Sequence, residues 1–114
     1  MIGDDIGGQA GPLFNPAFYR KVVKPRQKAL VQYIRSRTQA KIWYHTCGSC
    51  VEFIPEIIDN GAHILNPVQV SARNMDPVEL KGRFGRQIAF WGGGVDAQHI
   101  LPRGTPVGDL TEAG

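Results

Sequence analysis

His45 and Cys47 stand two residues apart at the end of the apolar run Lys41-Ile42-Trp43-Tyr44-His45-Thr46-Cys47-Gly48. The run reads as a β-strand opening into a loop, and in an extended chain residues i and i+2 project to the same side. An imidazole nitrogen and a thiolate sulfur on one face make up half of a zinc site. The sequence holds two cysteines and three histidines, so a pairing of one of each carries more weight than any other feature. Cys47 and Cys50 also form a C-x-x-C, which fits a redox pair, two metal ligands, or one ligand beside a packing cysteine. Redox use needs a thioredoxin-like setting, whereas this pair directly follows a histidine among alternating strand and helix signals.

The elements that must position these groups recur at similar intervals. Lys41 to His45, His63 to Asn66 and Gln87 to Trp91 are short, continuously apolar and followed by loops with Gly, Pro or Asn. That pattern predicts strands buried on both faces of a parallel sheet. Val51 to Asn60 places Val51, Ile54, Ile57 and Ile58 at helical spacing, and Gly61 suits a left-handed C-terminal cap. Pro55 forbids a regular interior there, so the helix proper is expected to start at that residue after an irregular turn. Asp76-Pro77-Val78-Glu79 is the strongest helix start: Asp76 caps, Pro77 fits the first helical position, and Glu79 closes a capping box. Gly85 ends that helix. Asn15 to Thr38 reads as one long or two short helices, with a kink or break expected at Lys24, the residue before Pro25. Met1 to Gly8 resembles the last residues of a strand and the loop after it, and Thr105-Pro106 starts a final helix.

Strand and helix alternating in this way predict a parallel α/β fold. At 114 residues the chain is the size of one ordinary domain. With 42% hydrophobic and 20% charged residues, its composition is that of a globular protein rather than a disordered one. No apolar stretch approaches the ~18 residues that span a bilayer, and the start lacks a basic segment followed by an apolar one, which predicts a cytoplasmic protein with no membrane partner. The net charge of +3 is uneven. Between Asp5 and Glu52 there is no acid, while Arg20, Lys21, Lys24, Arg26, Lys28, Arg35, Arg37 and Lys41 all fall there. Such a segment could meet phosphates, but the aromatics do not interleave as a stacking platform, so a solvated helix face is the expectation and nucleic acid is not.

Gly3-Asp4-Asp5-Ile6-Gly7, His45-Thr46-Cys47-Gly48-Ser49, Asp59-Asn60-Gly61 leading to Ile64-Leu65-Asn66-Pro67-Val68-Gln69, and Phe90-Trp91-Gly92-Gly93-Gly94-Val95-Asp96 together resemble the uroporphyrinogen decarboxylase superfamily. The resemblance spans about Ile2 to Leu110. It implies a partial (β/α)8 TIM barrel of about three βα units with parallel strands, residues 1–114 being a fragment of the barrel domain, since a whole barrel takes about 250 residues. The His-x-Cys-Gly segment resembles the cobalamin-dependent methyltransferase branch, and the resemblance implies that His45 and Cys47 bind zinc. The third ligand would lie on a later strand outside this chain, leaving the site incomplete. Cys50 departs from the branch and would serve as a ligand only if the backbone folded back just after the strand.

Four further residues are substrate-binding candidates. Asp5 falls where a barrel loop meets the active face, as does Asp4, and either an orienting carboxylate or an acidic turn fits there. Asn66 and Gln69 could present amides to a substrate, or Asn66 could satisfy its own loop. Gly92 to Gly94 would let backbone N–H groups approach a ligand or serve a tight strand exit, and Asp96, followed by Gln98, would line the same mouth. His63 starts a strand at the opposite end and is expected at the surface or in packing; His99 is ambiguous. No catalytic acid or base is assigned.

The resulting expectation is zinc-dependent methyl transfer from a corrinoid, held on a corrinoid protein, to a small thiol or related acceptor, with the 114-residue chain inactive by itself. Its open barrel face and sheet edges predict self-association or a missing barrel segment. Two alternatives remain: metal-free decarboxylation of a porphyrinogen in porphyrin biosynthesis, and a non-enzymatic relic or basic binding module.

Overall fold

Strand ends that carry polar side chains and loops rich in glycine dictate where this sheet stops. The computed structural model describes residues 1–103, and the helix expected at Thr105-Pro106 lies outside them. Four strands form one parallel sheet in sequence order: β1 (Ile2–Gly3), β2 (Trp43–His45), β3 (Ile64–Asn66) and β4 (Ala89–Phe90). The Ile2-Gly3 stub is thus a true strand, paired in parallel with β2. β2, β3 and β4 are each shorter than the apolar runs that contain them. Ile42 leaves the ladder but stays buried, its carbonyl accepting the N–H groups of His63 and Ile64 at 2.9 and 3.1 Å.

Consecutive parallel neighbours require a crossover between each pair. The first crossover is helical from Pro16 to Arg37, as α1 (Pro16–Phe18), a π-helical turn (Tyr19–Val23) and α2 (Lys24–Arg37). The chain does not break at Lys24, which is right-handed helical with its N–H reaching back to the Tyr19 carbonyl, but the helix changes type from π to α at that residue. The hydrogen-bond register changes from i−5 to i−4 where Pro25 has no N–H to offer, so the π turn absorbs the proline without breaking the helix.

The second crossover is a 3₁₀ turn (Val51–Phe53) running into α3 (Ile54–Asn60), with Pro55 in its first turn and Gly61 left-handed at φ 99°. The third is α4 (Pro77–Phe84), whose N-terminus is capped by Asp76 Oδ1 accepting from Glu79 N at 2.9 Å. Gly85 ends α4 in a right-handed conformation, so there the glycine is not used for left-handed geometry.

Register assigns the faces. Ile2, Tyr44, Leu65 and Phe90 share one row across the sheet, and Gly3, His45 and Asn66 share the next. The first row packs toward the helices, where Tyr44, Leu65, Ile54, Ile57, Leu80 and Val31 are buried in one core. Burial of each such side chain contributes about 1.5–3 kcal/mol relative to exposure. A buried polar residue is tied into this layer without an unpaired group: Gln27 Oε1 accepts from Tyr19 Oη at 2.7 Å, and its Nε2 donates to Tyr44 Oη and Asp4 Oδ2 at 2.8 and 3.1 Å. The opposite face carries His45, Asn66 and the indoles of Trp43 and Trp91, whose ring centroids lie 4.9 Å apart.

The basic helix meets acids from the next crossover. Arg20 and Lys24 pair with Glu56, and Lys24 and Lys28 with Asp59, so these three cations, one from the π turn and two from α2, brace the first crossover against α3. Arg37 lies over the Tyr33 ring instead. Among the described residues no helix is long and apolar enough to cross a membrane.

Candidate metal centre

The site is built where β1 and β2 run out into glycine-containing loops that touch backbone to backbone. Ser49 N donates to Gly8 O at 2.7 Å, Ile6 N to the buried Thr46 Oγ1 at 3.1 Å, and Gly48 N to Gln69 Oε1 at 2.9 Å. Gly48 adopts φ 72°, and a Cβ there would run into the Gly7 carbonyl. Only glycine provides both the left-handed backbone and the close approach. Gly3 does the same beneath His45 by proximity alone, since a Cβ would fall 2.7 Å from the His45 carbonyl oxygen.

This lacing delivers Asp5 to Cys47. Asp5 Oδ1 accepts the Cys47 N–H at 2.9 Å, and Cys47 Sγ lies 3.6 Å from His45 Nε2. One ligand atom each from Asp5, His45 and Cys47 falls within 4.8 Å of the other two. Tetrahedral zinc, with Zn–S of ~2.3 Å and Zn–N of ~2.0 Å, separates sulfur from nitrogen by about 3.5 Å. The His45–Cys47 pair therefore already has the spacing of one tetrahedron edge. The donor set of one imidazole, one thiol and one carboxylate is also among those zinc takes, so these residues fit the metal. The expected shared face for His45 and Cys47 is what the structure shows, although Cys47 sits just past the strand end rather than in it.

Electrostatics also favour a cation. Partial burial, the nearby negative charge of Asp5 and the hydrogen bond to it all push the Cys47 thiol above its ordinary pKa. A thiol so placed stays protonated at neutral pH unless a positive charge is added, and a bound divalent ion inverts that balance.

The centre lies between two cavities. One, of about 330 Å³, is lined by Met1, Ile2, Gly3, Asp4, Asp5 and His45. The other, of about 440 Å³, borders Cys47, Pro67, Val68, Val70 and the loop from Gly92 to Gln98.

The remaining candidates fall at the same end of the sheet with different partners. Asn66 neighbours His45, its Oδ1 lying 2.7 Å from His45 Nδ1 while its Nδ2 donates to the Trp91 carbonyl at 2.9 Å. Gln69 spends its oxygen on Gly48, and its Nε2 is buried without a hydrogen-bond partner. Asp96 lines the second cavity, but its carboxylate caps its own turn, accepting from the N–H groups of Gln98 and His99 and pairing with His99 Nδ1 at 2.9 Å. Cys50 is 1% exposed and packs in the core, where burial pushes its thiol up to about 12. Among the described residues it is not part of the cluster. His63, at the other end of the sheet, accepts the Ile42 N–H on Nδ1 at 2.9 Å.

Sequence reasoning did not single out Asp5 as a ligand. The signal was the order of parallel strands, which sets the loop after β1 beside the loop after β2. Compared with known proteins, the chain matches no family model, no curated protein and no solved structure.

Proposed function

We propose that Asp5, His45 and Cys47 hold a zinc ion, and that the chain supplies the metal-bearing part of a methyltransferase of the uroporphyrinogen decarboxylase type, folded as a (β/α)8 barrel. The observation that carries this reading is the 3.6 Å separation of Cys47 Sγ and His45 Nε2 with the Asp5 carboxylate alongside. In this reading Asp5 takes the place of a third ligand from a later strand. Zinc with three protein ligands keeps a fourth position open, and in that position it binds a thiol and lowers its pKa.

The chain's own residues do the rest. Asp5 and His45 face one cavity and Cys47 the other, so a corrinoid methyl donor and a small thiol acceptor can approach the same centre from different sides. Pro67, Val68, Val70 and Val95 give the wall beside Cys47 an apolar surface that suits the short aliphatic body of a thiol and sheds water from it. Among the described residues no strand pairs with the outer edges of β1 and β4, and there further strands, or a second copy, would join to close the barrel.

Metal analysis tests the reading. Protein loaded with excess zinc and then desalted should retain about one equivalent, and His45→Ala and Cys47→Ala should each lose it. Absence of bound metal in the parent protein at every loading would sink the proposal and favour metal-free decarboxylation.

A further inference from the structure

Asn66 was a candidate to contact substrate, yet both ends of its amide are taken by the protein. Its neighbour on one side, the Trp91 carbonyl, can only accept, so the atom facing it at 2.9 Å has to be the amide nitrogen. That fixes the amide oxygen toward His45 Nδ1 at 2.7 Å. An oxygen acceptor at that distance requires a proton on Nδ1, because two lone pairs facing each other would repel. In a neutral ring the proton then cannot be on Nε2, whose lone pair is left pointing at Cys47 Sγ, 3.6 Å away.

The backbone holds this relay at both ends. His45 and Asn66 are direct partners in the β2–β3 register, so their side chains rise from the same row. Trp91 is tied to the neighbouring strand by its own N–H, which donates to Leu65 O at 2.9 Å. A shift of β4 against β3 would carry the Trp91 carbonyl away and free the amide to rotate.

We infer that Asn66 is the positioning residue of this centre: braced by the Trp91 carbonyl, it locks His45 in the Nδ1–H tautomer and ring orientation that present Nε2 to a cation. The inference deepens the zinc reading and rests on it for its role, but the tautomer is a property of the metal-free protein. In that state the Nε2 lone pair faces the Cys47 sulfur at 3.6 Å, and a cation bound between them would displace the thiol proton. Metal-ligating histidines commonly donate their other N–H to such a partner, and loss of the partner typically weakens metal binding by ~10–100-fold.

The test combines ¹⁵N NMR of the His45 ring with zinc competition against a chromophoric chelator. Metal-free parent protein, at a pH above the imidazole titration, should show a protonated Nδ1 and an unprotonated Nε2. Asn66→Ala should lose that pattern and bind zinc ~10–100-fold more weakly, with its circular dichroism spectrum unchanged. Asn66→Asp keeps an oxygen acceptor for Nδ1–H but gives up the donor to the Trp91 carbonyl, so it should favour the Nδ1–H tautomer while recovering only part of the zinc affinity. A protonated Nε2 in the parent protein overturns the inference whatever the variants do. So does an Asn66→Ala protein that keeps both tautomer and affinity. The expected tautomer in a parent protein that binds no zinc would uphold the positioning by Asn66 and sink the metal reading instead.

Discussion

Asp5 and Cys47 are 42 positions apart in sequence, yet the carboxylate of one accepts the backbone N–H of the other at 2.9 Å. The contact joins the loop after β1 to the loop after β2. The carboxylate also takes a hydrogen bond from the Cys47 thiol, which a cation shared with His45 and Cys47 would replace. Asp5 thus has two separable duties, holding a loop and donating charge.

The two duties separate by substitution. Asp5→Asn keeps an oxygen for the Cys47 N–H but removes the charge, so the fold should melt close to the parent while zinc affinity drops by at least the ~10-fold that even an outer partner costs. Asp5→Ala should lose the affinity and also about 1 kcal/mol of stability from the missing hydrogen bond. Chelator competition and urea unfolding read the two effects. Equal zinc affinity in Asp5→Asn and the parent would remove Asp5 from the ligand set.

The two cysteines should differ sharply toward a thiol reagent. Cys50 is buried with its thiol pushed up to about 12, so in the native protein it should stay unmodified and react only on unfolding. Cys47 should react in the native protein, more slowly than a free thiol, because burial and the Asp5 charge disfavour its thiolate. Asp5→Asn should speed that reaction, and added zinc should suppress it. Peptide mapping after timed alkylation follows each residue. Equal native labelling at both cysteines would restore the C-x-x-C as a functional pair.

How much of this was legible in the sequence depends on the range of the interaction. The strand positions, the irregular start of α3, the Gly61 cap and the Asp76 cap were readable because each rests on residues within one turn or one pleat of one another. The shared face of His45 and Cys47 was readable for the same reason. At Lys24 the local rule for a residue before proline marks the position but not the form: the chain stays helical and changes from π to α there, because the π turn that accommodates Pro25 starts five residues earlier, at Tyr19. Asp5 and Asn66 were flagged as polar residues at strand ends, but their partners are set by register across strands. Composition and spacing carry no register, so the Asn66 relay to Trp91 and the Asp5 contact to Cys47 emerge only when the sheet is assembled.

The brace between the first crossover and α3 makes stability depend on acid in a stated direction. Glu56 is held below the ordinary carboxylate range, chiefly by its hydrogen bond with Arg20 and then by Lys24, against an opposing push from burial. Asp59 is lowered in the same sense, first by Lys24 and then by Lys28. The unfolded chain therefore binds these protons more readily than the folded protein does. The stabilisation is fully present above the unfolded value of ~4.3 for glutamate, and it is lost as pH falls through the lower folded value. The part of the melting temperature that this brace carries should accordingly hold steady from neutral pH to about 5 and decline below about 4, while His63, held low chiefly by burial with its Nδ1 accepting the Ile42 N–H, adds a separate loss as pH falls through the ordinary imidazole range. Glu56→Gln should melt a few degrees lower at pH 7 and decline less steeply in acid, since one of the titrating groups is gone. Because Arg20 and Lys28 are substantially exposed, added salt should narrow the gap between the two proteins. Thermal melts at several pH values, with and without salt, decide it: parallel curves for Glu56→Gln and the parent across the whole acid range would mean that the brace does not carry the acid sensitivity of the fold.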